Sequence, residues 1–208
     1  LLPADPVAMI RRAARPVLDE LAATLDDVAI AIVERDRVLA DAALVRAREI
    51  DELSDRFAEA VSVARETTVY APLRRRSRGR VDDYAGAATR IDLAVRNIRV
   101  LARGTIRAIR LDENVPPPVA EAVRELAAAV GAFSGSLEDP SRAAEVREHA
   151  LRAAATATQV LENTGNLSVS VIVGQVRSTA TDLLQGTGLT HDEAAGQVGR
   201  AAAVDAEV

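Results

Sequence analysis

This 208-residue chain has no cysteine and no tryptophan, and its 26 basic side chains are all arginine, so it has no lysine either. Without thiols there are neither disulfides nor thiolate metal sites. The aromatics, two Tyr and two Phe, are only 2% of the chain, while hydrophobic residues are 49%. A core with so few rings must be filled by Ala, Leu, Val and Ile, and small residues in that proportion suit close-packed helices better than a sandwich of strands. The all-arginine basic set fits the codon bias of a GC-rich genome better than any physical demand. No run of eighteen apolar residues is present, so no stretch is expected to cross a bilayer as a helix.

The motifs of familiar chemistry are missing too. There is no H-E-x-x-H, no glycine-rich phosphate loop and no G-x-S-x-G. Ser134, Ser136, Ser168 and Ser170 have no histidine partner in sequence context, so nucleophilic catalysis has no support and no enzyme is expected. On the helix that carries His149 only Glu145 shares its face, which is too few ligands for a metal. No cofactor is expected.

What the chain has in quantity is charge, unevenly placed. The formal net charge of −5 argues against a general nucleic-acid binder. Residues 17–66 hold thirteen carboxylates against six arginines, a net of −7, whereas residues 74–110 hold eleven arginines against three aspartates, a net of +8. The second region contains residues 82–111, which read as one unbroken helix. Tyr84, Ala88, Ile91, Val95, Ile98, Ala102, Ile106 and Ile109 recur every three or four residues as an apolar stripe. Asp82 and Asp83 would complement the helix dipole at its start. Beside the stripe runs a row of guanidiniums: Arg96, Arg99, Arg103, Arg107 and Arg110, with Asn97 as a polar neighbour. One reading has this row packed against acidic faces such as Glu52, Asp55, Glu59 and Glu66. The other has it capture carboxylates of substrates or lipid phosphates.

Around this helix the periodicity predicts several more. Asp5-Pro6 is a capped start for a first helix that continues to about Ile32, with a kink or break at Pro16. A turn near residues 34–37 would let a second helix fold back over 38–67, although one continuous helix is the alternative. Arg46 falls on the apolar stripe of that second helix and implies an edge position or a paired charge. Residues 70–80 (YAPLRRRSRGR) read as a break: a solvated loop, or a basic patch in which Arg74, Arg75, Arg76, Arg78 and Arg80 meet anionic lipid headgroups. Pro116–Pro118 begin a fourth helix, Asp139-Pro140 lead to a fifth over 141–163, and a sixth spans about 168–185. On the sixth, Gln175, Arg177 and Asp182 are polar within an apolar segment, and Gln175 and Asp182 share a face with Ser178 between them. The segment 190–208 opens with a capping box, Thr190 with Glu193, but its stripe is weak, so a short or frayed helix or disorder is expected. The fold class that follows is all-α: an antiparallel bundle of about six amphipathic helices, the first three long.

The stretch SVSVIVGQVRSTATDLLQGTG (168–188) resembles the C-terminal end of the bacterial fusaric acid resistance (FUSC) family, the aromatic acid exporters, in its actinobacterial form. RNIRVLARG (96–104), the RRRSRGR segment and PADPVAMIRRA (3–13) are similar as well, so that the likeness covers about residues 1–189. Such proteins join a block of membrane helices to a helical cytosolic domain and are thought to export aromatic carboxylic acids or related toxic compounds. The resemblance implies that residues 1–189 are that cytosolic domain, at the cytoplasmic face of the plasma membrane, with the parent's own N-terminal membrane helices as partner, and that the assembly is a homo-oligomer. The chain begins at Leu1 and not at Met, and is expected to be a fragment with apolar sequence before it. No substrate residue carries over; Arg96, Asn97, Arg99, Gln175, Arg177 and Asp182 match the pattern. Two further readings stand beside it: a free-standing helical scaffold or regulatory bundle that binds an acidic partner through the arginine row, and a sensor of small aromatic acids, for which stacking partners are scarce.

Overall fold

The computed structural model describes residues 5–69, 75–161 and 164–204. Among them are seven α-helices and no strand: α1 (Pro6–Glu34), α2 (Arg37–Val69), α3 (Arg75–Arg110), α4 (Pro117–Glu138), α5 (Ala143–Leu161), α6 (Leu167–Gly186) and α7 (His191–Val204). A 3-10 turn, Pro140–Arg142, lies between α4 and α5. The first three helices, of 29, 33 and 36 residues, are the long ones. The protein is therefore an all-α bundle with short antiparallel connections.

Two triplets of consecutive helices build it. In the first, α2 packs on α1 and α3, and α1 also touches α3; in the second, α5 packs on α4 and α6, and α4 also touches α6. The seam between the triplets is made by α1 against α4 and by α3 against α6, so α2 and α5 lie outermost on opposite sides. The core is aliphatic, as the composition requires: Ile10, Leu18, Leu21, Leu25, Ile91, Ile98, Leu101 and Leu126 are all essentially inaccessible, with Tyr84, Phe57 and Phe133 as its few rings.

Local chemistry sets the ends. Asp5 Oδ1 accepts from the Val7 amide at 3.1 Å, and Pro6 occupies the first turn, where its missing N–H costs nothing. Glu34 ends α1 because Arg35 turns into the left-handed region at φ 55°, and Asp36 then accepts from Leu39 N at 3.1 Å to start α2. The α1–α2 hairpin is thus made without glycine or proline. Asn166 caps α6 by accepting from Val169 N at 3.1 Å. The capping box forms at α7: Glu193 Oε2 accepts from Thr190 N at 2.8 Å and the Glu193 amide donates to Thr190 Oγ1 at 3.3 Å.

Several expectations need correction. Pro16 neither breaks α1 nor ends a separate short helix. It sits on the exposed face, where the carbonyl deprived of its donor can hydrogen-bond to water. The break expected over 70–80 is shorter than its composition suggests. Residues 70–74, Arg74 included, lie outside the described residues, but Arg75 to Arg80 already belong to α3. Arginine is a good helix former, and Gly79 costs only about 1 kcal/mol inside a long helix. Asp82 and Asp83 consequently lie two turns inside α3, not at its dipole end. At 1.5 Å per residue α3 runs about 54 Å. The fifth helix begins after the 3-10 turn and is described to Leu161; residues 162–163 lie outside the described residues. Of the alternatives expected after Gly188 a short helix is found: His191–Val204 form α7, whose Ala194 and Val198 are buried and which packs on α5 and α6, while residues 205–208 lie outside the described residues.

The up-and-down course places the start of α1, the start of α3, the end of α4 and the α6–α7 junction at one end of the bundle. Two contacts fix this. The Tyr84 hydroxyl of α3 donates to the Leu137 carbonyl of α4 at 3.1 Å, and Arg11 of α1 lies 3.7 Å from Glu138. The opposite end carries the α1–α2 turn and the α3–α4 and α5–α6 connections. Exposed Val33, Val38, Leu111 and Leu167 lie there.

Candidate functional site

The arginine row of α3 does not act as one surface. Arg96 is exposed and pairs with Asp92 on its own helix, one turn back, at 2.8 Å. Arg99 is only 23% exposed and reaches across to Asp51 of α2 at 2.5 Å. Among the described residues no ion pair involves Arg103 or Arg107, and both are exposed. A further α2–α3 tie joins Arg65 to Asp82 at 2.9 Å. The acidic partners on α2 are therefore not the four expected, although the row does meet the acidic helix. Arg46 is a paired charge, with Asp27 of α1 at 3.1 Å.

Asn97 faces the other way, across the seam to α6. Its Nδ2 donates to Asp182 Oδ2 at 3.0 Å. Two residues singled out 85 positions apart in the chain thus meet. Arg90, two turns closer to the start of α3, lies 3.7 Å from the same carboxylate. Asp182 is 8% exposed. Burial pushes its carboxyl up from the ordinary 3.8 to about 6, against the opposing pull of Arg90, Asn97 and His191. Gln175 and Arg177 do not join them. Gln175 is half-buried, and Arg177 turns to α5, where Nη1 donates to Thr158 Oγ1 at 2.5 Å. Ser178 is exposed.

Of the five arginines assigned to a lipid-facing patch, Arg74 lies outside the described residues, Arg75 and Arg76 are in the first turn of α3, and Arg78 and Arg80 are exposed side chains on that helix. They stand at the same end of the bundle as the start of α1.

A cleft of about 760 Å³ opens at that end, between residues 80–90 of α3, the end of α4, the start of α5 and the α6–α7 junction. Arg80, Arg90 and Arg147 line it together with Tyr84, Gly86 and Gly188. Arg147 is held by another lining residue: Nε donates to Thr187 Oγ1 at 2.9 Å and Nη2 to the Thr187 carbonyl at 3.0 Å. Tyr84 is 2% exposed, and burial raises its hydroxyl pKa despite Arg80 and Arg11 nearby. Arg90 and Arg147 carry no motif in the sequence; only the folded topology brings residues 57 positions apart to one wall.

A second polar group also escaped the sequence. His149 Nδ1 lies 2.7 Å from Glu125 Oε2, on α4 and not on its own helix, and Arg152 Nε donates to the same oxygen at 3.1 Å. Burial would raise the Glu125 carboxyl, but these two hydrogen bonds hold it below its ordinary range. Among the described residues no cluster of three or more His, Asp or Glu side chains is placed to hold a metal ion, and no helix is long and apolar enough to cross a membrane.

No family model matches the chain. It is similar to an uncharacterized protein of Corynebacterium glutamicum, 28% identical over 200 residues. The match covers 93% of this chain and 51% of that protein, so the chain spans about half the length of the curated relative it matches.

Proposed function

We propose that the chain is the helical, non-spanning domain of a FUSC-type efflux protein for aromatic acids or related toxic compounds. In this reading it stands against the cytoplasmic face of the plasma membrane, beside the parent's own N-terminal membrane helices. It organises subunits of a homo-oligomer; it is not an enzyme and performs no transport itself. The observation that carries the reading is the gathering of the start of α1 and the arginine-rich start of α3 at one end of the bundle. A membrane-proximal end with exposed Arg78 and Arg80 would meet anionic headgroups, each guanidinium contributing about 1 kcal/mol near such a surface. A bundle without a spanning helix that matches about half of a longer relative also supports it. The test is genomic and then physiological. The codons before Leu1 should encode several apolar spans of about 20 residues each, and deletion of the whole gene should lower tolerance to aromatic acids. A reading frame without spans, or identical growth curves, would overturn the assignment.

The alternative is a free-standing scaffold that binds an acidic partner. It draws on Arg103 and Arg107, exposed side chains of α3 that form no ion pair among the described residues. Their replacement by Glu should abolish recovery of such a partner in a pull-down; undiminished recovery would retire this reading.

A further inference from the structure

The cleft at the α1-start end has the properties of a binding site independently of the exporter reading. Its volume of about 760 Å³ lies in the range of small-molecule sites, roughly 300–1,000 Å³. Three guanidiniums line it, from two positions on α3 and one on α5. Two of them are held by neighbours, Arg147 by the lining residue Thr187 and Arg90 by Asp182, which does not border the cleft. Thr187 takes two donors of Arg147, which leaves Nη1 with no hydrogen-bond partner among the described residues. The buried Asp182 carboxylate anchors Arg90 at 3.7 Å. Guanidiniums ordered before a ligand arrives lose little entropy on binding it.

Acids also line the cleft, and most are already matched. Asp82 pairs with Arg65 at 2.9 Å and Glu138 with Arg11 at 3.7 Å; neither arginine borders the cleft. Asp83 remains as the one lining carboxylate with no ion pair among the described residues. The floor is kept open by glycine. A side chain added at Gly86 or at Gly188 would meet nothing within 4 Å, and Gly188 adopts φ +96°.

We propose that this cleft binds a phosphate monoester through Arg80, Arg90 and Arg147. A carboxylate has two oxygens and one charge and is satisfied by a single forked arginine; a tetrahedral dianion has three terminal oxygens for guanidiniums arriving from separate elements. Tyr84 is the only aromatic side chain in the lining among the described residues, and its hydroxyl is engaged with Leu137. That leaves little for stacking an aromatic acid. The ester's organic part would rest on Ala87, Leu137, Ala143 and Leu189.

The same chemistry can arrive on a soluble metabolite or on a lipid headgroup, so the test has two arms. The purified 208-residue chain is titrated calorimetrically with glycerol 3-phosphate, and separately mixed with vesicles containing phosphatidic acid in a flotation assay. Saturable binding of the soluble ester assigns a small-molecule site; flotation without it assigns a headgroup site. Variants then locate the site in either arm. Arg147→Gln should weaken binding about tenfold. Asp83→Asn should tighten it about threefold, an effect that damage to the fold would not produce. Gly86→Leu should abolish it by filling the floor without touching any charge, and it replaces a helical glycine with a better helix former. Arg152→Gln, outside the cleft, should change nothing. Absence of binding in both arms, or binding indifferent to Gly86→Leu and Asp83→Asn, would overturn the proposal.

Discussion

Replacing Asp182 by Asn should stabilise the protein at alkaline pH and do progressively less as the solution is acidified. Asp182 is buried between α3 and α6, with Asn97 at 3.0 Å and Arg90 only at 3.7 Å. Its partners do not offset its desolvation, and its folded pKa stands at about 6 against 3.8 for an ordinary aspartate. The sign follows from proton binding. Between these two values the folded state holds more protons than the unfolded state, so stability falls as pH rises through the window. Above pH 6 the ionised carboxylate costs the fold roughly 2–3 kcal/mol; below the ordinary value that cost is gone. An asparagine keeps an acceptor for Asn97 and carries no charge to desolvate. Urea unfolding followed by far-ultraviolet circular dichroism should therefore give the variant a higher midpoint at pH 8, by about 2 kcal/mol, with most of the gap closed by pH 4.5. A variant less stable than the parent by the same amount at both pH values would show that the carboxylate is a net favourable partner, and the reasoning about its desolvation would be refuted.

Other consequences are simpler to read out. Pro16→Ala restores a backbone donor on the exposed face of an intact α1 and should raise stability by about 1–3 kcal/mol in the same urea assay. Gly186→Ala would set a methyl carbon 2.6 Å from the Phe133 ring; a loss of about 1–3 kcal/mol is expected, partly recovered when Phe133→Leu is combined with it. Arg99→Ala should cost about 1 kcal/mol or slightly more, because it leaves Asp51 without its cross-helix partner, while Arg103→Ala should stay within about 0.5 kcal/mol of the parent. Equal effects of the two arginine variants in thermal melts would contradict the different positions assigned to them.

The helical architecture was legible because the signals for it are local. The stripe from Tyr84 through Ile91, Val95, Ile98 and Ala102 is buried as its spacing requires, and the capping atoms of Asp5 and Thr190 make the bonds their positions imply. The sequence misleads where a residue's average habit differs from its role in this fold. Pro16 is tolerated because it faces solvent, and Arg75 to Arg80 belong to α3 because arginine favours helix and no proline follows Pro72 until Pro116. The α1–α2 turn was ambiguous for a related reason: it uses Arg35 at φ 55°, a conformation that ordinarily marks itself with glycine. Of the polar cluster, Asn97 and Asp182 stood out as polar residues on apolar helices, but their meeting depends on how α3 and α6 register against each other. Arg90, Arg147 and Glu125 gave no such signal. Each looks like any surface charge until a second helix arrives, and no periodicity within one helix can report that.

The division into two triplets, each drawn from an uninterrupted length of chain, bears on how the molecule comes into being. Within the first set α2 packs on both of its sequence neighbours and α1 also touches α3, so these three can begin to consolidate while α4 and α6, which later cover α1 and α3, are still being synthesised. Contacts short in sequence close quickly. The slow event is then the meeting of two prebuilt halves, and it is there that Asp182 must leave water to find Asn97.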